Sequence, residues 1–335
     1  MIKPADHPEI PAAKVGVLIV NLGTPDSAEA GAVRRYLAEF LSDPRVVEIP
    51  KLVWKPILHG IILRTRPKKS AHAYSLVWRE DGSPLAAITA QQAAALRGAF
   101  GDGVMVEHAM RYGRPAIADK LAAMKAAGCE RILIAPLYPQ YCAATTATAN
   151  DAAFATLASM RWQPAIRTLP PYHDDPAYID ALKTSVEASL ATLSFQPDAI
   201  VASFHGMPAR TLALGDPYHC HCQKTARLLS EALGRELIVS FQSRFGRAKW
   251  LEPATDLTLT GLPGRGVKRI AVVAPGFSAD CLETLEELAI RGRQSFLDAG
   301  GTDFAYLPCL NADHAGVTML RFLLQRELAG WVATS

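Results

Sequence analysis

The stretch Val201–Pro208, VASFHGMP, decides the fold, because it is a short apolar run that delivers one histidine, His205, to a turn. A second apolar run, RIAVVAP at 269–275, opens into GFSADCLETLEEL, which carries several acidic residues. Helix-forming sequence follows each run, so we predict that the two runs are neighbouring strands of a parallel sheet. Ligands of such sheets bind outside the carboxyl ends of the strands. His205 and the acids of the second segment should therefore face one crevice.

The rest of the chain repeats this alternation of strand and helix, once before and once after the loop PPYHDDP at 170–176. In the first half, VGVLIV at 15–20 has the fully apolar, β-branched character of a strand that is covered on both faces. The alternation predicts an α/β fold of two doubly wound domains with a cleft between them. We place these domains at 14–170 and 171–317, with the last helix, 318–331, able to pack back on the first.

The bulk properties argue against several classes of protein. The chain has 335 residues, and half of them are apolar. This length exceeds the usual size of a domain with a single hydrophobic core. Its net charge of +3, without a basic run that alternates with aromatics, argues against a nucleic-acid partner. We find no apolar segment of about 18 residues that would span a membrane, and no apolar signal-peptide core. Six unevenly spaced cysteines favour a reduced, cytoplasmic setting over a disulfide framework.

Several acids lie in the segment 280–292, which is predicted to be a helix. Spacings of three and four residues would place Asp280, Glu283 and Glu287 on one face of that helix, with Glu286 pointing elsewhere. Most acidic stripes are solvated surfaces. This one begins at the carboxyl end of an apolar strand, where ligands bind, and His205 comes from a similar position. A neutral imidazole opposite carboxylates can accept protons and hold a divalent cation briefly.

The segment 46–66 is apolar and carries basic residues at its flanks. Its large apolar side chains are those of Val53, Trp54, Ile57, Leu58, Ile61 and Ile62. Prolines at 50, 56 and 67 should interrupt any long helix. From the residues alone, two interpretations are equally good. The segment is either a buried helical hairpin or an exposed lip whose lysines and arginines meet lipid headgroups.

Two further patterns bring together side chains that bind ligands or metals. Arg111 and Tyr112 end a predicted strand, a pair that suits a carboxylate-bearing or aromatic ligand but serves equally well in an ordinary ion pair. The HCHC run at 219–222 lacks a standard zinc spacing, so a structural role is favoured. The other histidines, such as His173, are interpreted as packing or surface residues. Neither a dinucleotide-binding GxGxxG after the first strand, nor a P-loop, nor a GxSxG elbow is present.

Taken together, these segments resemble the ferrochelatases, enzymes that insert ferrous iron into protoporphyrin IX in the last step of haem synthesis. The matching signatures, in order, are VNLGTPDS, FLSDPRVVEIP, GSPL, MRYGRP, PLYPQYCAATTA, SFHGMP, GDPYHCHCQKTARLL, FQSRFGRAKWLEP and GFSADCLETLEEL. They run over residues 15–315, which makes the resemblance highly specific. It implies two Rossmann-like domains, each with a four-stranded parallel sheet, around a porphyrin cleft.

The resemblance also implies roles for individual residues. His205 matches the active-site histidine that accepts pyrrole protons or receives the metal, and Glu283 matches the carboxylate opposite it. Asp280 and Glu287 match an acidic path for protons or metal. The residues that match porphyrin contacts are Leu22, Ser83, Arg111, Tyr112, Trp250 and Phe277. The apolar side chains of 46–63 match a lip that docks on the membrane surface, so the resemblance favours the exposed-lip interpretation.

This sequence also departs from the family pattern. Cys281 stands where animal members have a histidine beside the acids. We also expect no cysteine-bearing C-terminal extension of the kind that holds their 2Fe–2S cluster. Cys142, Cys220 and Cys222 could contribute to a cluster, but no fourth ligand is evident, and we expect that no cofactor is required. We expect a monomer or homodimer in the cytoplasm, peripheral on the membrane. Alternatives are a cobalt chelatase for a sirohydrochlorin-like ring, a coproporphyrin substrate, and a haem or metal carrier.

Overall fold

The fold contains two parallel sheets of four strands each. The structure, a computed structural model, describes residues 6–7, 11–246 and 248–332. The strands of the first sheet are β1 (Lys14–Gly23), β2 (Val104–Tyr112), β3 (Cys129–Pro136) and β4 (Ala165–Thr168). Those of the second are β5 (Ala199–His205), β6 (Leu237–Gln242), β7 (Arg269–Val273) and β8 (Asp303–Tyr306). The predicted α/β class, with two parallel four-stranded sheets, is confirmed.

Both sheets have the same strand order, with the first strand of each half next to the third. The orders are β2-β1-β3-β4 and β6-β5-β7-β8. In the second sheet Ala199 pairs with Ile270 and Ala202 with Val273, so the two apolar runs are neighbouring parallel strands, as predicted. The central strands are fully buried because helices cover both faces of each sheet. The carboxyl ends of β5 and β7 therefore emerge side by side.

The helices alternate with the strands along the chain. The first half has α1 (Ala30–Ser42), α2 (Lys51–Ile57), α3 (Leu63–Ser75), α4 (Pro84–Phe100), α5 (Ile117–Ala126) and α6 (Thr148–Ala158). The second half has α7 (Pro176–Ala191), α8 (Ala209–Ala213), α9 (Tyr218–Leu233), α10 (Thr255–Gly261), α11 (Arg293–Asp298) and α12 (His314–Glu327). Within the described residues, three segments are wound as π-helices: Leu58–Ile62, Ala143–Ala147 and Glu283–Gly292. We refer to Glu283–Gly292 as the acid helix.

One apolar core joins the two sheets. Val17 and Leu133 of the first sheet belong to the same cluster of buried side chains as Ile200 and Phe204 of the second. Helix α12 contributes to this cluster and lies against both α4 and α7. Arg167 at the end of the first sheet donates to the backbone carbonyl of Ala329 (2.9 Å). The last helix thus contacts elements of both halves.

Two glycines allow β1 and β2 to end close together. Gly23 has φ of +115°, and a Cβ built on it would lie 1.9 Å from the carbonyl oxygen of Tyr112. Gly113 has φ of +82°, and its Cβ would lie 2.7 Å from the carbonyl oxygen of Thr24. A side chain at either position would force the backbones apart. The close approach brings the NLGTP turn against the MRYG turn at the rim of the first sheet.

The prediction that prolines break the segment after 50 was wrong. Pro56 lies inside α2 and Pro67 inside α3, and the chain is helical from Lys51 to Ser75. A π-helical turn at Leu58–Ile62 lies between the two prolines. Among the described residues, no helix is both long enough and apolar enough to cross a bilayer.

Candidate active site

His205 is the last residue of β5, and its ring presents one free nitrogen. Nδ1 lies 2.7 Å from the carbonyl oxygen of Gly206, an atom that can only accept a hydrogen bond. Nδ1 must therefore carry the proton, which leaves the Nε2 lone pair available as a base. The backbone carbonyl of His205 accepts a hydrogen bond from the hydroxyl of Tyr218 (3.0 Å), which fixes the end of the strand.

The turn after His205 requires glycine. The Gly206 N–H donates to the carbonyl of Gln242 at the end of β6 (2.7 Å), and a Cβ on Gly206 would meet that oxygen at 2.4 Å. The ring of Trp250 lies on the other side of the same position, and Trp250 forms a backbone bridge with Pro208. Its indole N–H donates to the carbonyl of Phe245 (3.0 Å). Trp250 therefore lies beside the turn that follows His205, and its role in porphyrin binding stays a prediction.

Glu283 begins the acid helix, and its carboxylate lies near buried phenols of the first half. Burial raises the pKa of Tyr74 well above its usual value, and the nearby charge of Glu283 raises it further. The pKa of Tyr36 is raised in the same way. Burial has the largest effect, followed by the nearby Tyr74 and then by the charge of Glu283. The preceding residue, Leu282, packs into the apolar cluster that contains both tyrosines. Glu283 therefore lies at the junction of the two halves and close to two neutral hydroxyl groups.

Tyr36 and Tyr74 are site residues that sequence reasoning missed. Tyr36 lies in α1 and Tyr74 in α3, and from the sequence an aromatic residue in a helix is predicted to belong to the core. Only their shared position in the cluster with Leu22 and Leu282 connects them to the acid helix. The hydroxyl of Tyr36 donates to the carbonyl of Gly23 (3.1 Å), so it also supports the turn after Leu22.

Asp280 does not belong to an acidic stripe, contrary to the prediction. The acid helix begins three residues later, and the Asp280 side chain is buried. It accepts hydrogen bonds from the hydroxyl of Tyr306 (2.6 Å), from Thr284 (2.9 Å) and from the side-chain amide of Asn311 (2.7 Å). With both oxygens engaged, Asp280 fixes the loop before the acid helix. The predicted periodicity failed because it assumed an α-helix that begins at residue 280.

Glu287 is also engaged. Its Oε1 accepts from the backbone N–H of Ser243 (2.8 Å) and its Oε2 from the Ser243 hydroxyl (2.5 Å). Ser243 has φ of +64°, a region that residues with a side chain rarely adopt. Arg291 lies 3.9 Å from the same carboxylate. These bonds attach Glu287 to the loop after β6. Its role in a path for protons or metal stays a prediction.

Leu22 and Phe277 are placed by hydrogen bonds that join the two halves. Asn21 donates to Thr89 (3.2 Å) and to the hydroxyl of Ser278 (3.4 Å), and Gln92 donates to the carbonyl of Ser278 (3.0 Å). These bonds hold the loop after β7 against the first half. Leu22 and Phe277, the neighbours of Asn21 and Ser278, are half-buried apolar residues on either side of this contact.

Arg111 and Tyr112 form a buried network with Asp43. Arg111 donates to Asp43 (2.5 Å) and to the Thr148 hydroxyl (2.7 Å), and the Tyr112 hydroxyl donates to Asp43 (2.9 Å). Burial would raise the pKa of Asp43, but hydrogen bonds from Thr148, the Arg45 backbone and Tyr112 outweigh it and lower that pKa. Tyr112 has no exposed surface. Direct porphyrin contact by Tyr112 does not fit this arrangement, since its hydroxyl is used inside the wall.

A cavity of about 690 Å³ opens beside this network. It is lined by Glu39, Ser42, Asp43, Pro44, Arg45, Glu48, Arg111, Tyr112, Asp151 and Ala152. Its charges are mostly paired, since Arg45 bonds Asp151 and Glu48 bonds Arg210. Neither His205 nor Glu283 is among these lining residues. We therefore treat this cavity as separate from the candidate site around His205 and Glu283.

Ser83 has a local structural role. It is the N-cap of α4, and its hydroxyl accepts a hydrogen bond from the backbone N–H of Ala86 (3.2 Å). Only 2% of the residue is exposed. Contact with a bound porphyrin, as predicted for Ser83, would require this capping bond and its covering residues to move.

The lip has fewer exposed apolar side chains than predicted. Leu58 is fully buried, and Trp54 and Ile62 pack inward onto the cluster that contains Tyr36. The Trp54 indole also donates to the carbonyl of Leu41 (2.6 Å). Ile57 is half-buried, and Val53 and Ile61 are exposed, as a lip requires. Leu52, which the sequence analysis did not select, is 91% exposed and is the most prominent apolar side chain of the segment.

The three cysteines proposed as cluster ligands do not converge. Cys142 and Cys222 are buried in one apolar cluster, but Cys220 is on the exposed face of α9. Burial raises the pKa of both buried thiols, which disfavours the thiolate form that an iron–sulfur cluster needs. No group of three or more His, Cys, Asp or Glu side chains that could hold a metal occurs in the described part of the chain. These cysteines therefore do not fit a shared 2Fe–2S cluster.

His173, interpreted above as a packing or surface residue, stacks on His221. The two rings are 3.6 Å apart and nearly parallel. His221 Nδ1 accepts a hydrogen bond from the Tyr141 N–H (3.2 Å), so protonation of that nitrogen would break the bond. Burial lowers the pKa of both rings, and the second imidazole helps to lower that of His173 to about 4. The charge of Asp174 raises the pKa of both rings, and that of Asp216 raises the pKa of His221. The charge of Lys224 lowers the pKa of both rings.

We expect the stacked pair to make the fold sensitive to mild acid. An unfolded histidine titrates near pH ~6.5, whereas His173 in the fold titrates near pH 4, so the unfolded state binds more protons between these values. The free energy of unfolding should therefore fall as pH decreases through this window, by on the order of 2 kcal/mol. Urea unfolding at several pH values would measure it. His173→Phe keeps a stacked ring without the titration and should flatten the decline, and an unchanged decline would contradict the expectation.

Comparison with known proteins identifies the family. A family model described as Ferrochelatase matches residues 14–328. A ferrochelatase from Rhizobium meliloti (strain 1021) is 56% identical over 334 residues, covering 98% of both chains. One from Agrobacterium fabrum is 54% identical with the same coverage, and one from Methylibium petroleiphilum is 53% identical over 96% of this chain and 90% of its own.

Solved structures agree in fold. SirB from Bacillus subtilis with Fe³⁺ superposes with a TM-score of 0.58 at 14% identity, covering 95% of this chain and 97% of that one. A sirohydrochlorin chelatase SirB in complex with cobalt gives a TM-score of 0.55 at 14% identity, over 94% and 97% of the two chains. At this identity the likeness concerns the fold alone. The family model and the relatives more than half identical in sequence show that the chain belongs to the ferrochelatase family.

Proposed function

We propose that this protein is a lyase that inserts ferrous iron into protoporphyrin IX to give protohaem, the last step of haem synthesis. The observation that supports this most is the adjacency of β5, which ends at His205, and β7, whose following loop leads to Glu283. The two residues follow adjacent parallel strands at the same edge of one sheet. One offers a free Nε2 lone pair, and the other offers a carboxylate. In this proposal the half-buried apolar residues Leu22, Phe277 and Trp250 contact the porphyrin.

Metal insertion requires two pyrrole N–H protons to leave the ring. The Nε2 lone pair of His205 accepts one of these protons at a time and releases the first to solvent before it takes the second, while the Nδ1–H stays bonded to the Gly206 carbonyl. The Tyr218 bond to the His205 carbonyl keeps the imidazole at the end of β5 while the substrate binds. His205 is therefore the base in this scheme.

The ring must also deform, because a flat porphyrin shields both its protons and its lone pairs. Leu22 and Phe277 on one side and Trp250 on the other grip the macrocycle and tilt the pyrrole nitrogens toward the metal. Such distortion costs ~1–5 kcal/mol, which binding of the remote parts of the substrate offsets. The hydrogen bond between Asn21 and Ser278 keeps the walls rigid enough to impose this distortion on the ring.

Glu283 receives the ferrous ion on the opposite face of the ring. A carboxylate is a good ligand for Fe²⁺ and compensates for water lost from the ion as it approaches the pyrrole nitrogens. The neutral hydroxyls near Glu283, those of Tyr36 and Tyr74, lack the extra negative charge that would hold iron too tightly. We propose Glu287, at the next turn, as a further carboxylate on the proton or metal path, and we assign Asp280 only a structural part.

An anaerobic assay tests this function. The purified protein, whose visible spectrum is recorded first, is incubated with ferrous iron and protoporphyrin IX. We expect free-base fluorescence to disappear and protohaem absorbance to grow over many turnovers, with no cofactor added. A spectrum free of iron–sulfur bands would support our view that no cluster is needed. Stoichiometric haem binding without turnover would instead identify a carrier and overturn the proposal.

We further propose that the protein works in the cytoplasm with its lip on the membrane surface, where an apolar porphyrin partitions. Leu52, Val53 and Ile61 are exposed by 91%, 55% and 58%. Lys51, Lys55 and other basic residues beside them are exposed too, and they suit anionic headgroups.

The double variant Leu52→Asp, Ile61→Asp should lose binding to vesicles that contain anionic lipid. Partial burial of each side chain contributes roughly 1–2 kcal/mol, so we expect at least a tenfold weaker partition, since about 1.4 kcal/mol is a factor of ten. Sedimentation with the vesicles measures this. The control Leu257→Asp alters a leucine that is 63% exposed on α10, outside the lip. Equal losses in the two proteins, or no loss in the lip variant, would refute docking through the lip.

A further inference from the structure

Gln242 connects the two segments that carry the proposed reacting groups. Gln242 is the last residue of β6, pairs in register with His205 and is only 2% exposed. Its side-chain carbonyl accepts from the hydroxyl of Ser203 (2.7 Å), and its amide donates to the backbone carbonyl of Glu283 (2.8 Å). Its own backbone carbonyl accepts the Gly206 N–H (2.7 Å). One residue thus touches both the turn after His205 and the first residue of the acid helix.

The next residue, Ser243, holds the following turn of the same helix. Its backbone N–H and its hydroxyl donate to the two carboxylate oxygens of Glu287. A serine at φ of +64° persists only where surrounding contacts determine its conformation. Gln242 and Ser243 therefore attach two successive turns of the acid helix to the end of β6.

The winding of the acid helix makes this attachment important. A π-helix of ten residues is rare, and it rotates each side chain relative to its place in an α-helix. Contacts from outside the helix must favour this winding. The Gln242 bond reaches Glu283, the residue at which the π-helical segment begins, so it acts where the direction of the Glu283 side chain is set.

We propose that Gln242, assisted by Ser243, is a positioning residue that fixes the Glu283 carboxylate relative to the His205 imidazole. This inference rests on the proposed function. Gln242 is buried behind both groups and touches neither metal nor porphyrin in this scheme. Its loss leaves the apolar walls intact but shifts the carboxylate, and a shift of about 1 Å can cost about 100-fold in rate.

Gln242→Leu in the full-length protein tests the proposal. With Zn²⁺, which does not oxidise, kcat for insertion into protoporphyrin should fall about 10- to 100-fold, while KM for porphyrin changes less than about threefold. The matched control is Gln140→Leu. Gln140 is also 2% exposed and donates to Thr225 (3.0 Å), away from the acid helix. The control should keep kcat within about twofold.

Gln242→Glu gives a signature that a merely structural role would not produce. A protonated glutamate can donate to the Glu283 carbonyl as the amide does, whereas an ionised one cannot and is repelled by that oxygen. The kcat of this variant should therefore fall, while KM for porphyrin changes less than about threefold. A KM for porphyrin that rises as much as kcat falls, or an unchanged kcat, would overturn the proposal, even if Gln242→Leu proves too unstable to assay.

Two further results would overturn it: full kcat in Gln242→Leu, or a loss no larger than in Gln140→Leu. Assays of His205→Ala and Glu283→Gln under the same conditions distinguish a failure of the positioning role from a failure of the proposed function. If both are inactive while Gln242→Leu is active, only the positioning role fails. If both are active, the proposed function of the site fails.

Discussion

His205→Ala should lose metal insertion by about 10³-fold or more while it still binds porphyrin. The Nε2 lone pair is the only free base that the end of β5 offers to the ring, and general-base catalysis typically contributes 10²–10⁴-fold. Porphyrin affinity should stay within about threefold, because Leu22, Phe277 and Trp250 supply most of the contact area. Steady-state zinc insertion and porphyrin fluorescence titration measure the two quantities.

The control for this variant is His219→Ala. His219 lies only 14 positions later, at the start of α9, and stacks on Phe241 outside the turn that carries His205. We expect nearly normal kcat from it. Near-normal zinc insertion by His205→Ala would remove the imidazole from the mechanism, and a loss of porphyrin binding equal to the loss of kcat would make His205 a binding residue.

Glu283→Gln should reduce insertion of both ferrous iron and zinc by about 10²-fold or more. The substitution keeps the size and the backbone of the residue, and therefore the Gln242 bond, but removes the charge that receives the metal. The effect should appear mainly in kcat and in KM for the metal, with porphyrin affinity within about threefold. Initial rates over a range of metal concentrations would measure it.

Glu286→Gln is the matched control, since Glu286 lies in the same helix and pairs with Arg291 (3.0 Å). Arg291 is 59% exposed and Glu286 14%, so loss of this pair should cost on the order of 1 kcal/mol of stability and should leave kcat nearly normal. If Glu283→Gln keeps its rate, or if Glu286→Gln loses as much, the carboxylate of Glu283 is not the metal's entry group.

The sequence was sufficient to predict the α/β class, the adjacency of the strands that carry His205 and Glu283, and the family. These predictions depend on signals that are local in the chain. Fully apolar runs of five to seven residues identify buried strands, and a histidine or acid just after such a run must lie at the carboxyl edge of the sheet. The specific order of short signatures then identifies the family without any three-dimensional information.

The details that failed depend on contacts between distant parts of the chain. Asp280 was placed on an acidic face because an α-helical period was assumed, and the π-helical start at Glu283 has no recognised sequence signal. The burial of Leu58 depends on α1 and α3 packing together, which hydrophobicity alone does not reveal. Tyr36 and Tyr74 likewise become neighbours of Glu283 only once the two halves meet.

A crystal structure with free-base protoporphyrin bound tests the central claim most directly. The account predicts the ring between the two halves, with Nε2 of His205 over one face and the Glu283 carboxylate over the other, each within about 3 Å of a pyrrole nitrogen or one water away from it. A ring bound instead in the polar cavity beside Arg45 and Arg111, out of reach of both groups, would contradict it.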